Sequence, residues 1–72
     1  MIYKENFSAN LRRLRKENKL SLQALGDILK ISNQAVSLLE MGKNAPSFDV
    51  LMATADFFDC SLDYLCGRSD TK

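Results

Sequence analysis

The segment SNQAVSLLEMG, residues 32 to 42, carries uncharged hydrogen-bonding side chains where a short helix usually presents Lys and Glu. Asn33 and Gln34 lead it, and each carboxamide holds a donor beside an acceptor. That pairing matches the N6 and N7 groups of adenine in the major groove of DNA, so these two residues could contact bases. The alternative is that polar residues in a first helical turn only satisfy free backbone amides or face water.

The apolar residues of the same segment indicate how such a helix would be seated. Val36 and Leu39 lie three residues apart and can share one buried stripe. Ser32 is the predicted cap and Gly42 the predicted stop, while Ile31 can pack on Val36 as a hydrophobic staple.

Helical spacing recurs along the rest of the chain, and no stretch alternates apolar and polar residues for long, which predicts an all-α domain. Helix 1 is predicted from about Phe7 to Asn18 with Asn6 as its cap, and helix 2 from its cap Ser21 to near Leu29. Helix 3 is the segment between Ser32 and Gly42, and helix 5 runs from its cap Ser61 to Gly67. Helix 4 begins at Pro46 and Ser47, and its apolar stripe consists of Phe48, Leu51, Met52, Ala55 and Phe58. Only Lys30 and Ile31 separate helices 2 and 3, which predicts a tight helix-turn-helix. Residues 1–67 are predicted to form one domain and residues 68–72 a flexible tail.

Composition restricts the possible functions. The chain has 72 residues, 46% of them apolar and 26% charged, as expected for one small globular domain. We expect no enzyme, because there is no His for acid–base work, no glycine-rich phosphate loop and no Cys paired with a base. Cys60 and Cys66 are too few for a zinc site, and no cofactor or small-molecule ligand is evident. The chain lacks an apolar run of about 20 residues and a secretory signal, so we expect a cytoplasmic protein without membrane contact.

Charge is distributed unevenly along the chain. Residues 1–47 hold eight Lys or Arg against four acids, whereas residues 48–72 hold two against five. A basic front and an acidic rear are compatible with a one-sided contact to an anion. The basic residues of helix 1 lie on different sides of that helix, so most of them are predicted to be solvated; they are Arg12, Arg13, Arg15, Lys16 and Lys19.

Almost the whole chain, from about Phe7 to Gly67, resembles the lambda-repressor-like helix-turn-helix family, the Cro-type or XRE-type DNA-binding domains. The matching segments are LRRLRKENKLSLQALGDIL, ISNQAVSLLEMGKNAPS and FDVLMATADFFDCSLDYLCG, and the most specific residues are Val36, Ser37, Glu40, Gly42 and Pro46. The resemblance implies a compact five-helix domain that regulates transcription, as a repressor of prokaryotic or phage origin. Its implied partner is double-stranded operator DNA, bound with helix 3 in the major groove and by a homodimer at least when on a palindromic site, so that the protein would associate with the nucleoid.

The resemblance and the side-chain chemistry together assign roles to individual residues. Base contacts are assigned to Ser32, Asn33, Gln34, Ser37 and Leu38, phosphate contacts to Gln23, Lys43 and Asn44, a structural salt bridge to Arg15 and Glu40, and dimerisation to Leu62, Tyr64, Leu65 and Cys66. Leu38 could rest on a thymine methyl group or be partly buried against helix 2 or a second subunit. Lys43 could be an ordinary solvated lysine, and Leu62 and Leu65 could only close the core.

Several positions depart from the family pattern. Lys19, Lys30 and Asp59 each follow a helix where the family usually places Gly, which predicts a left-handed backbone at a cost of up to about 1 kcal/mol each. Gly26 replaces the small Ala typical of the crossing between the two motif helices. A second hypothesis, a protein-interaction module of the antitoxin or adaptor kind, is favoured by apolar residues on the outer face, namely Leu22, where a phosphate-contacting Gln is common, Leu38 and Met41. The chain is compatible with a stand-alone regulator or with the amino-terminal part of a longer repressor.

Overall fold

The computed structural model describes residues 2–72, so Met1, the first residue of the predicted 1–67 domain, lies outside the described residues. The helices are α1 (Ile2–Glu17), α2 (Leu22–Leu29), α3 (Asn33–Glu40), α4 (Phe48–Phe58) and α5 (Leu62–Leu65). No strand occurs between residues 2 and 72, and the all-α prediction is confirmed. No helix in this part of the chain is both long enough and apolar enough to cross a bilayer.

Serine residues define the starts of α2, α3, α4 and α5. Each has an extended backbone, and its hydroxyl oxygen accepts a hydrogen bond from the amide three residues later, which satisfies one of the free donors of the first turn. The capping residues are Ser21, Ser32, Ser47 and Ser61, and the donating amides belong to Ala24, Ala35, Val50 and Tyr64. The predicted starts of these four helices are confirmed.

The predicted start of α1 is wrong. This helix begins at Ile2, so Asn6 lies within it and is not its cap. The Asn6 side chain instead donates from Nδ2 to the Cys66 carbonyl oxygen at 3.2 Å. That partner lies 60 residues away in sequence, and therefore nothing in the local pattern reveals it.

The core lies where all five helices meet. Its largest fully buried apolar side chains come from α1, α2, α3 and α5; they are Phe7, Leu11, Leu25, Val36 and Leu65. The predicted stripe of α4 is only partly correct, because Phe48 is 73% exposed while Val50 and Thr54 point into the core. Thr54 is accommodated there because its hydroxyl donates to the Val50 carbonyl oxygen at 2.7 Å.

The backbone after α1, α2 and α4 is left-handed, as predicted from the resemblance. Lys19, Lys30 and Asp59 have φ angles of 56°, 62° and 53°. At Lys30 this conformation directs the backbone N–H to the Gly26 carbonyl oxygen and turns the chain at once towards α3.

The C-terminal residues fold back onto α5. The Ser61 amide donates to the Lys72 carbonyl oxygen at 2.9 Å, and the Lys72 ammonium lies 5.9 Å from the centroid of the Tyr64 ring. The predicted division into a domain ending at residue 67 and a flexible tail of residues 68–72 stays a prediction.

Candidate nucleic-acid interface

The turn between α2 and α3 is packed directly against α2. A Cβ atom added to Gly26 would lie 2.6 Å from the Ile31 carbonyl oxygen and 3.4 Å from the Asn33 backbone nitrogen. Only the absence of a side chain allows backbone this close to α2. Gly26 therefore sets the distance between the two helices of the motif.

The inner face of α3 is fixed to the rest of the domain. Val36 and Leu39 are buried, and Glu40 at the end of the helix forms an ion pair with Arg15 of α1. The Arg15 Nε–Glu40 Oε2 distance is 2.6 Å and the Nη2–Oε1 distance is 3.1 Å, so the pair is bidentate. The two side chains are 14% and 6% exposed, and the hydrogen bond that Arg15 donates to Glu40 raises the pKa of Arg15 above its ordinary value. The structure thus contains the ion pair expected from the resemblance.

The outer face of α3 begins with three exposed residues, Ser32, Asn33 and Gln34. The Ser32 hydroxyl oxygen is already occupied, because it accepts the Ala35 amide at 3.0 Å. The carboxamides of Asn33 and Gln34 are therefore the groups that the first turn of α3 presents outward. Ser37 and Leu38, one turn later, are half-buried.

Gln23 of α2 lies beside this first turn and is bonded on both sides. Its Nε2 donates to Asp27 Oδ1 at 3.0 Å, and its Oε1 accepts from Asn33 Nδ2 at 3.3 Å. A phosphate contact by Gln23 would have to compete with both bonds, so the structure gives this side chain a role that its position in the sequence did not reveal.

The loop between α3 and α4 places Lys43 and Asn44 on the surface. Gly42 has a φ of 73°, and the next amide, that of Lys43, donates to the Leu38 carbonyl oxygen at 3.0 Å. This closing of α3 leaves the Lys43 and Asn44 side chains exposed immediately after the helix.

The basic residues of α1 have separate surroundings. Arg13 donates to the Tyr64 hydroxyl at 2.5 Å and to Glu17 at 3.2 Å, and Arg15 is held by Glu40. Arg12 and Lys16, by contrast, are exposed and line a shallow cleft that also contains Ser37 of α3. The sequence pattern predicts that both are solvated. Their four-residue spacing, which places both on one helix face, was the signal that could have singled them out.

A helix-turn-helix family profile matches residues 11–65, which is most of the chain and includes the second half of α1 and all of α2 to α5. The chain belongs to the XRE-type helix-turn-helix family.

Curated relatives of this helix-turn-helix domain carry the same designation. It is 39% identical over 67 residues to the uncharacterized HTH-type transcriptional regulator YqaE of Bacillus subtilis, covering 92% of this chain and 58% of the relative. It is 31% identical over 64 residues to the regulator YobD of the same organism, covering 89% of this chain and 57% of YobD. The chain therefore spans less than two thirds of the length of these relatives.

Solved structures with the same fold include a repressor bound to DNA. The P22 c2 repressor in complex with a synthetic operator superposes with a TM-score of 0.81 at 32% identity, covering 88% of this chain and 96% of that one. The clp gene regulator ClgR of Corynebacterium glutamicum gives a TM-score of 0.79 at 23% identity, covering 90% of this chain and 69% of ClgR, and shows the fold alone.

One of the four residues assigned to dimerisation of the helix-turn-helix domain requires correction. Leu65 is fully buried in the core, so its side chain is unavailable to a second subunit. Leu62 is partly buried against the same core, and Tyr64 and Cys66 are half-buried. Burial raises the pKa of the Cys66 thiol, as it does for Cys60, so neither is a ready thiolate.

The apolar residues of the outer face are less exposed than the second hypothesis assumed. Leu22 is half-buried and packs against the core, and Leu38 is half-buried as well. Of the three residues on which that hypothesis rested, Met41 alone is largely exposed, at 57%.

Proposed function

We propose that this domain is a sequence-specific transcriptional regulator, acting as a repressor, that places α3 in the major groove of operator DNA. The observation that carries the proposal is the position of two carboxamides, those of Asn33 and Gln34, which are exposed on the first turn of a helix whose other face is fixed to the core. The major groove is about 12 Å wide and admits one helix, so α3 can bring both side chains to base edges.

Positive charge near α3 supports the proposal. Lys43 is exposed directly after the helix, and Arg12 and Lys16 line the cleft beside Ser37. Contacts of such residues and of free amides with phosphates hold the register of a protein on a duplex without reading its sequence. The P22 c2 repressor, which has the same fold, was crystallised in complex with a synthetic operator, and this agrees with the proposed partner.

We extend the proposal to a homodimer, at least on DNA. The longest extent of the domain is 28 Å, whereas half-sites of a palindrome that face the same side of the duplex are about 34 Å apart. One domain is therefore suited to one half-site, and a second copy is needed to read the other. Tyr64 of α5 and Cys66, which directly follows this helix, are half-buried and, unlike Leu65, retain surface for such a contact.

Selection of bound duplexes from a random pool tests the proposal directly. We expect a preferred site with two-fold symmetry, and fluorescence titration should show binding to it that weakens steeply as salt increases. Transcription from a promoter that overlaps this site should fall when the protein is added. Equal binding to every sequence at low salt would contradict sequence-specific recognition.

A single substitution tests the role of the carboxamides. Q34A should lose about 1 to 3 kcal/mol of binding free energy on the selected duplex and almost none on a scrambled duplex. N18A is the control, because Asn18 is also an exposed residue with a carboxamide but directly follows α1, where its Nδ2 donates to the Leu14 carbonyl oxygen at 2.8 Å. If Q34A bound every duplex as the unsubstituted protein does, the alternative of a protein-interaction surface around Met41 would be favoured.

A further inference from the structure

Three side chains at the junction of α2 and α3 form a chain of hydrogen bonds with a fixed direction. Asn33 donates from Nδ2 to Gln23 Oε1 at 3.3 Å, and Gln23 donates from Nε2 to Asp27 Oδ1 at 3.0 Å. All three residues are exposed, so the chain of bonds lies on the surface that the proposed function places against DNA.

The carboxylate at the end of this chain determines the orientation of both amides. An ionised carboxylate only accepts hydrogen bonds, so Gln23 must turn its Nε2 towards Asp27. The Gln23 oxygen is then left facing α3 and needs a donor, which Asn33 supplies with its Nδ2. Rotating either amide by half a turn would bring two acceptors or two donors together.

We propose that Gln23 and Asp27 are positioning residues that fix the orientation of the Asn33 carboxamide and thereby the base it prefers. This inference rests on the proposed function. An amide nitrogen has two protons, so Asn33 can engage Gln23 with one and still present the other beside Oδ1. A donor and an acceptor in fixed order fit the N7 and N6 groups of adenine on one strand and not the reversed base pair.

The charge of Asp27 allows a positioning role to be distinguished experimentally from that of a solvated surface residue. A carboxylate this close to a DNA-binding helix repels phosphates, so it lowers affinity for every duplex. The proposal assigns it a compensating benefit in discrimination between bases. Removing the charge should therefore change affinity and discrimination in opposite directions.

The test uses two variants and one control. Before it, N33A is compared with the unsubstituted protein to identify the base pair whose preference depends on Asn33. Q23M removes both hydrogen bonds while keeping the length of the side chain, and D27N removes the charge while keeping the shape. D56N is the matched control, because Asp56 is an exposed aspartate on α4. Each protein is titrated against the selected duplex, against its three single-base variants at that pair, and against a scrambled duplex.

Q23M should lower the preference for the best base at that one pair by about fivefold or more and leave preferences elsewhere unchanged. D27N should also lower this preference while binding the scrambled duplex more tightly, and D56N should do neither. Circular dichroism should show that all variants are folded, since the substituted residues are exposed.

Uniform weakening on all duplexes by Q23M would overturn the proposal and assign Gln23 to phosphate contact. Tighter binding by D27N with unchanged base preference would also overturn it. Both of these failures leave the proposed function standing, because the unsubstituted protein would still select a site. If the unsubstituted protein selects no site, the proposed function and this inference both fail.

Discussion

Carboxamide side chains serve different purposes in α1 and in α3. Asn6 and Asn10 of α1 donate to backbone carbonyl oxygens at the end of α5, over 2.9 to 3.2 Å, and both are half-buried. Asn33 and Gln34 of α3 are exposed at the start of their helix. The same functional group thus bonds distant backbone in one region and is exposed on the surface in the other, where we propose that it contacts DNA.

The difference follows from which backbone groups are already satisfied nearby. The helix α5 is not continued after Leu65, so the Leu65 and Cys66 carbonyl oxygens accept the Asn10 and Asn6 side chains, whereas the Tyr64 carbonyl oxygen also accepts the Gly67 amide at 3.2 Å. At the start of α3 the Ser32 hydroxyl already accepts the free Ala35 amide, so Asn33 and Gln34 are not needed as caps. The serine cap therefore leaves both carboxamides out of backbone capping, and Asn33 bonds to Gln23 instead.

The ion pair that joins these two regions should give the largest effect. R15A leaves the Glu40 carboxylate, which is 6% exposed, without its partner and also removes the bond to the Leu20 carbonyl oxygen at 2.9 Å. We expect a loss of about 3 to 5 kcal/mol in the free energy of unfolding, measured by urea denaturation. For a domain of this size that loss would leave little stability.

R12A is the matched control for R15A, because Arg12 lies on the same helix and is exposed. It should change stability by less than about 0.5 kcal/mol. The double variant R15M/E40L should regain much of the lost stability, since a buried pair replaced by apolar groups leaves no uncompensated charge. A mild effect of R15A would show that α3 is held by apolar packing alone.

Gly26 tests whether the distance between the motif helices depends on the missing side chain. G26V places a branched side chain where even a Cβ atom would lie 2.6 Å from the Ile31 carbonyl oxygen. We expect a loss of about 2 to 3 kcal/mol in the free energy of unfolding, because the turn must move away from α2. Thermal unfolding followed by circular dichroism measures the loss. An unchanged midpoint would mean that the turn is not confined by α2.

Asn10 and Asn33 allow the comparison itself to be tested. Asn10 Nδ2 donates to the Tyr64 and Leu65 carbonyl oxygens at 3.1 and 2.9 Å, so N10A should cost about 1 to 2 kcal/mol of unfolding free energy. Its DNA affinity should not change at temperatures where it is folded. N33A should show the reverse, with lower affinity for the selected duplex and unchanged stability.

Urea denaturation and fluorescence titration of both proteins provide the two measurements. The different roles assigned to Asn10 and Asn33 would be refuted if N10A and N33A changed stability and DNA affinity in the same proportion.

Much of the fold could be predicted because its signals are local. Each of the serine caps precedes its helix by one residue, and the three left-handed residues follow helices at positions that the family resemblance marks. Local hydrogen bonds of this kind depend on the nearest few residues, which a single sequence displays. The buried residues of α1, such as Phe7 and Leu11, likewise follow helical spacing.

The remaining features depend on contacts between distant residues. Asn6 was predicted to cap α1 because its actual partner, Cys66, lies 60 residues away and is not visible in the local sequence. Phe48 was predicted to lie in the core because helical spacing alone does not show which side of α4 faces the core. The bond between Asn33 and Gln23 spans 10 residues across a turn, and it became visible only once α2 and α3 were placed side by side. In the candidate site the residue types were evident, whereas their mutual orientation was not.

The smallest expected effect is a change in the salt dependence of DNA binding, tested with two exposed lysines in different parts of the chain. Lys43 is exposed directly after α3, and Lys72 is exposed against α5 on the acidic side of the sequence. A phosphate contact by Lys43 releases counterions, so K43A should weaken binding to selected and scrambled duplexes alike and reduce the slope of log affinity against log salt by about 1. K72A should leave the slope unchanged, because the Lys72 ammonium lies against the Tyr64 ring of α5 and not beside α3 in sequence. If K43A and K72A gave the same slope, the DNA-binding face would have to extend beyond α3 and the loop that follows it. The proposed difference in charge between the α3 surface and the α5 surface would then be refuted.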